Sequence, residues 1–207
     1  MRLSTSQKEF LIRAAQQYAR SVDKASFYLE ERGLSQEDAS LFRLGVVAEP
    51  LPSHEQFVNR LSIPYLTRSG VVDIRFRSLD ATEPKYMGMS GVETTLFNVE
   101  AFFKAKNYIC ICEGEMDTIT MSVKTQHPAV GAPGAASWKP HYSRILEDFD
   151  TVLILADGDE AGLEFGKRIQ RSIPNGRIIQ MPEGEDVNSV VLKKGSEYID
   201  ERIKSAI

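Results

Sequence analysis

A chain of 207 residues can bury a real core and suits one large domain or two small ones. With 42% hydrophobic and 26% charged residues it has the balance of an ordinary globular protein, and its longest apolar runs, such as 151–156, are far too short to span a bilayer. A formal net charge of −4 does not advertise a nucleic-acid binder, and residues 2–20 are too charged for a signal peptide, so the expected location is the cytoplasm, away from membranes.

The first third reads as helical. Phe10, Ala14 and Tyr18 recur at helical spacing over about 6–20. A second helix over about 24–32 stops at Gly33, a natural residue for the left-handed position after a helix. Ser35 with Asp38 three residues on forms a capping box that opens a third short helix through Phe42. Beyond Pro50 the pattern changes: 63–66 and 71–76 flank a Gly-containing turn and predict a β-hairpin, and 84–91 reads as a loop. Residues 1–105 thus form a small α+β subdomain.

From 106 onward strand and helix alternate. Apolar runs at 108–112, 129–131, 151–156 and 177–181 are separated by helical patterns carrying Met116, Ile119 and Val123, then Ala161, Phe165, Ile169 and Ile173. Continuous apolar strands between helices predict an α/β fold, a Rossmann-like four-stranded parallel sheet with helices on both faces, over 106–207. Cys110 and Cys112 share a strand face but lie too far apart along it to bridge, so they read as buried core thiols. Two cysteines and the scattered His54, His127 and His141 do not support a structural zinc site.

In such sheets ligands bind outside the carboxyl ends of the strands. Three of the four strand ends discharge acids there: Glu113, Glu115 and Asp117; Asp157, Asp159 and Glu160; and Glu183, Glu185 and Asp186. The half that contains them, 106–207, carries 12 Lys+Arg against 16 Asp+Glu, as a carboxylate-based metal site would produce. Like charges this close repel, and divalent cations with oxygen ligands resolve the conflict. Mg²⁺ suits a few carboxylates plus substrate phosphates. Gly114, Gly158 and Gly162 let backbone approach a ligand. Glu115, Glu160 and Glu183 are equally well read as solubilising acids that favour helix N-termini.

The segment Glu113-Gly-Glu-Met-Asp117 resembles the first motif of the Toprim domain, and Asp157-Gly-Asp159-Glu-Ala-Gly162 resembles the second. Between them, Ala129-Val-Gly-Ala-Pro-Gly134 is similar to the Gly-containing second strand of bacterial-type primases, and Pro182-Glu-Gly-Glu-Asp186 to their later acidic segment. Upstream, Tyr28-Leu29, Arg32-Gly-Leu-Ser35, Ile63-Pro-Tyr65, Gly70, Lys85-Tyr86 and Thr95-Leu-Phe97 resemble landmarks of the DnaG-type RNA polymerase domain. The likeness is loose before residue 100 and specific after it.

That resemblance implies a DNA primase catalytic core, making RNA primers from NTPs on a single-stranded DNA template during replication. It implies Glu113, Asp157 and Asp159 as catalytic and metal-ligating, Asp117 as their support and Asp186 as a ligand of a second ion. Two Mg²⁺ or Mn²⁺ ions and no zinc would be the cofactors. Lys85, Arg77 and Arg75, with Gly114, would hold nucleotide and template; for Arg77 and Arg75 the plainer reading is a solvated strand residue. Two positions depart from the family pattern: Asn188 stands where a second acid is expected, and Asn98-Val99 follows Phe97 in place of a basic residue. With no zinc-binding module before the core and no helicase-binding segment after it, a separate zinc-bearing or helicase subunit is the expected partner, as in split phage primases.

Other readings stay open on the same residues. A Toprim nuclease would use the same acids to hydrolyse a phosphodiester, and a DNA-binding replication accessory would keep the fold without turnover. Asp157-Gly-Asp159 also resembles the haloacid-dehalogenase start, but Ala161 stands where Thr or Val is common. Gly166-Lys167 falls inside a helix and lacks the Ser or Thr of a phosphate loop.

Overall fold

The computed structural model describes residues 3–80, 82–92, 94–133 and 138–207. The chain forms two compact units, Met1–Val92 and Glu93–Ile207.

In the first unit, α1 (Thr5–Ala19) starts at a capping box in which Gln7 N–H donates to Ser4 Oγ (3.2 Å) and Ser4 N–H to Gln7 Oε1 (2.8 Å). The expected second helix begins as a 3-10 turn (Val22–Ala25) and continues as α2 (Ser26–Glu30). Gly33, at φ +66°, ends it: its N–H bonds to Glu30 O (2.9 Å) and Leu34 N–H to Leu29 O (2.9 Å), the paired bonds of a Schellman turn. The capping box expected at Ser35 and Asp38 opens α3 (Gln36–Leu41). An antiparallel sheet runs in the order β1 (Gly45–Val46), β2 (Leu61–Thr67), β3 (Gly70–Arg77), β4 (Tyr86–Met87). The hairpin β2–β3 matches the sequence reading. The loop expected over 84–91 does not hold throughout, because Tyr86 and Met87 pair with Arg77 and Phe76.

The core of this unit is set by α1 against the sheet: Ala14, Ala15 and Tyr18 pack with Phe57, Ile74 and Phe76. Gly45 lets the chain pass; a Cβ there would lie 2.2 Å from the Tyr18 carbonyl. His54 is fully buried beside them, ringed by the edges of Phe10, Phe57 and Phe76. The Tyr18 hydroxyl accepts from Leu51 N–H (3.1 Å) and shares a hydrogen bond with His54 Nδ1 (2.7 Å).

The second unit is a parallel sheet in the order β6 (Ala129–Gly131), β5 (Tyr108–Cys112), β7 (Thr151–Ala156), β8 (Gly176–Gln180). Alternate residues feed two separate cores, as a sheet covered on both faces requires. Ile109, Ile111, Val152 and Ile154 meet α4 (Ala101–Lys104), α6 (Ser143–Leu146) and α7 (Glu160–Gln170). Cys110, Cys112, Leu153 and Leu155 meet α8 (Val187–Lys194) and α9 (Ser196–Ala206). Both thiols are buried and unbridged. The helix expected through Met116, Ile119 and Val123 is α5 (Glu115–Thr120), which widens into a π turn over Met121–Thr125.

A division after residue 105 is not where the units part: Leu96 and Ala101 are buried with Ile109, and Phe97 bridges Gly131 through paired backbone bonds (2.8 and 3.0 Å). That bridge also covers the outer edge of β6, where Asn98 Nδ2 donates to Ala129 O (2.8 Å). The opposite outer edge, on β8, is capped at both ends: Gln170 Nε2 donates to Gly176 O (3.1 Å) and Arg202 to Gln180 O (2.9 Å). Among the described residues no helix is long and apolar enough to cross a membrane.

Burial holds the His54 imidazole below its ordinary pKa. The unfolded chain therefore takes a proton, near pH 6.5, that the native chain does not, and stability is lost as pH falls through that value. In urea denaturation at pH 7.5 and 5.5, His54→Leu should gain stability on the parent at the acid pH, read as the shift in its midpoint relative to the parent's.

Candidate active site

The chain leaves β5 for β6 on one side and returns to β7 on the other, so the carboxyl ends of β5 and β7 flank a topological switch point. Glu113 follows β5 and Asp157 follows β7. They are tied across that point: Asp157 N–H donates to Glu113 Oε1 at 3.0 Å. Gly162 makes room for the crossing, since a Cβ there would stand 2.7 Å from Glu113 Oε1 and 2.5 Å from Asp157 O.

Three more predicted acids arrive from neighbouring helices. Asp159 caps α7, accepting from Gly162 N–H at 2.7 Å, and is exposed. Asp186 caps α8, accepting from Ser189 N–H at 2.7 Å, while its own N–H donates to Ser189 Oγ (3.0 Å). Asp117, buried on α5, accepts at Oδ1 from the Asn188 N–H (3.1 Å). The helix-capping part of these roles is legible in sequence only once the helix starts are known.

Their charges converge on Asp157. Burial, then the carboxylates of Asp117, Glu113, Asp186 and Asp159, push its carboxyl up to about 8. Glu113 is also raised, by burial first, with its bond from Asp157 N–H opposing. Asp157 Oδ1 is buried without a hydrogen-bond partner.

Backbone lacing fixes the loops that carry these groups. Gly158 N–H donates to Glu185 O (2.8 Å) and Gly184 N–H to Gly158 O (2.9 Å). The loops pass so closely that a Cβ on Gly158 would sit 1.7 Å from Pro182 O. Gly114, preceding α5, would place a Cβ 3.0 Å from Asp117 Oδ2. Glu160 and Glu183 are exposed as expected, but Glu115 is not a solubilising acid: it is 1% exposed on α5. Asn188 is turned to α5, its Nδ2 donating to Thr120 Oγ1 (2.8 Å), with both residues buried. Gly134, the end of the predicted strand segment, lies outside the described residues.

The predicted basic residues belong to the first unit. Lys85 is exposed beside β4, its N–H on Glu83 Oε2 (2.9 Å). Arg77 is not a solvated strand residue: it is buried, bonds to the Tyr86 hydroxyl, and lies 4.9 Å over the Tyr86 ring and 5.4 Å over Tyr28. Arg75 lies 5.8 Å over the other side of this group, at Tyr86, and Arg32 3.7 Å over Tyr28. Three guanidiniums and two phenols thus interleave in the run Arg32, Tyr28, Arg77, Tyr86, Arg75. Arg32 was not among the expected site residues, although Arg32-Gly-Leu-Ser35 marked its position.

The all-oxygen donor set suits a hard divalent ion, and the orphaned Asp157 oxygen amid like charges is the feature such an ion would satisfy. Among the described residues no three His, Cys, Asp or Glu side chains stand together as a ready-made ligand set. Mg²⁺ does not need one, because it keeps several waters and binds through one or two carboxylates plus substrate phosphates.

Acid-bearing strand ends at the switch point of a four-stranded parallel sheet define a Toprim-type unit. The sequence pattern described as Toprim-like matches residues 110–191. The Gene 57 protein of Mycobacterium phage D29 is 46% identical over 148 residues, covering 69% of this chain and 97% of that protein. The DNA primase of Pseudomonas putida is 27% identical over 174 residues, 75% of this chain but 26% of its own length. A DnaG primase catalytic domain bound to ssDNA superposes with a TM-score of 0.78 at 23% identity, over 98% of this chain and 80% of that one. The chain belongs to the same family as that phage protein, carries a Toprim-like domain and has the fold of a DnaG primase catalytic domain. It spans nearly all of the phage relative and about a quarter of the bacterial primase.

Asp157 carries a pH signature. In the native state it holds a proton that the unfolded chain releases near 3.8, so in divalent-free buffer its contribution to stability is lost as pH rises toward about 8. Asp157→Asn removes that loss. Urea denaturation should find the variant gaining on the parent between pH 5 and 8, by on the order of 1–2 kcal/mol after solvent screening.

Proposed function

We propose that this chain is the nucleotidyl-transferring core of a DNA primase, joining NTPs into short RNA primers on single-stranded DNA. The observation that carries the reading is that the DnaG likeness extends over both units, 98% of the chain, rather than over the acid-bearing sheet alone. A bare Toprim nuclease would need only the second unit. A primer 3′-hydroxyl attacks the α-phosphate of the incoming NTP, the new phosphodiester forms, and pyrophosphate leaves.

Mg²⁺ or Mn²⁺ bound at this edge would neutralise charge developing on the phosphates and align attacking and leaving oxygens. Asp157, Glu113 and Asp159 would hold it, with Asp186 toward a second position and Asp117 fixing α5 and α8. Glu113, whose Oε1 is anchored on the Asp157 N–H, would use Oε2 to hold the ion or to take the proton of the attacking hydroxyl. Gly158 and Gly162 keep side chains out of the approach. The Arg–Tyr run and Lys85 give the first unit cationic groups that would hold the phosphates of a single strand without reading its sequence.

The test is primer synthesis from labelled NTPs on single-stranded DNA with Mg²⁺ or Mn²⁺. The chain should make short RNA, and chelation or Asp157→Ala should remove at least about 100-fold of the rate. Cleavage of the template without NTPs would replace this reading by a nuclease, and DNA retention with neither product would replace it by an accessory role. Arg77→Ala, which removes the centre of the Arg–Tyr run, should weaken single-strand binding by about 1–3 kcal/mol with little change in sequence preference, as read by fluorescence anisotropy.

A further inference from the structure

Glu113 is joined to α5 by a single residue, Gly114, which stands extended at φ −125° and ψ 165° with no side chain of its own to restrain it. A larger residue there would crowd the site, since a Cβ on Gly114 would lie 3.0 Å from Asp117 Oδ2. The set of this loop, and with it the direction of the Glu113 carboxylate, therefore depends on the bonds made by the Gly114 peptide.

The Gly114 carbonyl takes two bonds, both from Thr118. The Thr118 N–H reaches it at 3.2 Å and the hydroxyl Oγ1 at 2.7 Å, so the shorter bond comes from the side chain. Thr118 is fully buried. A Cβ on Gly131 of β6 would stand 2.7 Å from Thr118 Oγ1 and 3.3 Å from Gly114 O, so the strand backbone lies directly against this bond. Thr118 is held in turn at its own carbonyl, which accepts from Ser122 Oγ (2.8 Å). That hydroxyl accepts from Asn98 Nδ2 (3.1 Å).

Bonding of Ser or Thr to the carbonyl one turn earlier is ordinary inside helices, and Thr125 does it to Met121 (2.6 Å). At Thr118 the carbonyl reached is that of the residue preceding α5, next in the chain to Glu113. Packing alone does not call for a hydroxyl there. An apolar side chain of the same shape would suit a fully buried position, and the Gly114 carbonyl would keep the Thr118 N–H.

We propose that Thr118 is a positioning residue for Glu113: its hydroxyl locks the Gly114 peptide and so aims the Glu113 carboxylate across the switch point, where Oε1 meets the Asp157 N–H. This rests on the reading of Glu113 as part of a nucleotidyl-transferring edge. Glu113 is then fixed from two directions, by β7 through its side chain and by α5 through the peptide that follows it.

Thr118→Val keeps the shape and removes the hydroxyl, whereas Thr118→Ser keeps the hydroxyl; both are checked for folding by circular dichroism. The first readout needs no catalysis. Amide hydrogen exchange followed by NMR should find the Asp157 N–H exchanging at least about tenfold faster in Thr118→Val, with amides inside β5 and β7 unchanged and Thr118→Ser close to the parent. The second readout is primer synthesis: kcat should fall about tenfold in Thr118→Val at a nearly constant KM for NTP, and Thr118→Ser should recover most of it. Should Thr118→Val not fold, Thr118→Ala carries the same expectations. Unchanged Asp157 protection in the folded variant, or an equal loss in Thr118→Ser, overturns the positioning role. A parental kcat in Thr118→Val, or a raised KM with kcat intact, overturns it as well. Faster Asp157 exchange in Thr118→Val together with a parent that makes no primers overturns the primase reading and supports the hold of Thr118 on Glu113.

Discussion

The mutual repulsion of carboxylates around Asp157 is the constraint to which the rest of the second unit answers. Five acids from three strand ends raise one another's cost of ionisation, and burial raises it further. A fold left to relax would spread them into solvent. Here they are held by backbone: three N–H groups at the starts of two helices and one at a strand end each take one carboxylate, and two loops are bonded to each other through Gly158, Gly184 and Glu185. The two apolar cores on either side of the sheet make that arrangement affordable, since strands buried on both faces cannot shift without opening one core or the other.

The first unit solves a different problem. It gathers cations and sets aromatic rings between them. Arg32, Arg77 and Arg75 are separated by Tyr28 and Tyr86, whose faces attract guanidinium charge without neutralising it. A surface with a net charge of −4 over the whole chain can thus still offer a local basic strip. Overall charge was a poor guide for that reason: it averages a local run of arginines with an acid-rich sheet edge.

Sequence was most informative where the cause is local. The four parallel strands are continuous apolar runs, and three of them have the expected bounds. Ser35 with Asp38, and Gly33, announce their helix ends through bonds made within four or five residues. Features that depend on distant partners were not legible. Tyr86 and Met87 become a strand because β3 offers them an edge, and 94–105 joins the second unit because Phe97 meets Gly131. Among site residues, Glu113, Asp157 and Asp159 were found from strand ends and motif likeness, and their meeting was implied by the topology. That Asn188 would turn to Thr120, that Glu115 would be buried, and that Arg32 would join the arginines are outcomes of packing that no local spacing encodes.

The closed edges of the parallel sheet have a consequence beyond the site. One flank is occupied by Phe97 and Asn98, and the other is stoppered at both ends by Gln170 and Arg202. A strand from another molecule would find edge carbonyls on both sides already taken. During synthesis, when many copies of a highly apolar sheet are made close together, these stoppers act as a guard against self-templated stacking. The sheet ends at four strands because its own side chains end it.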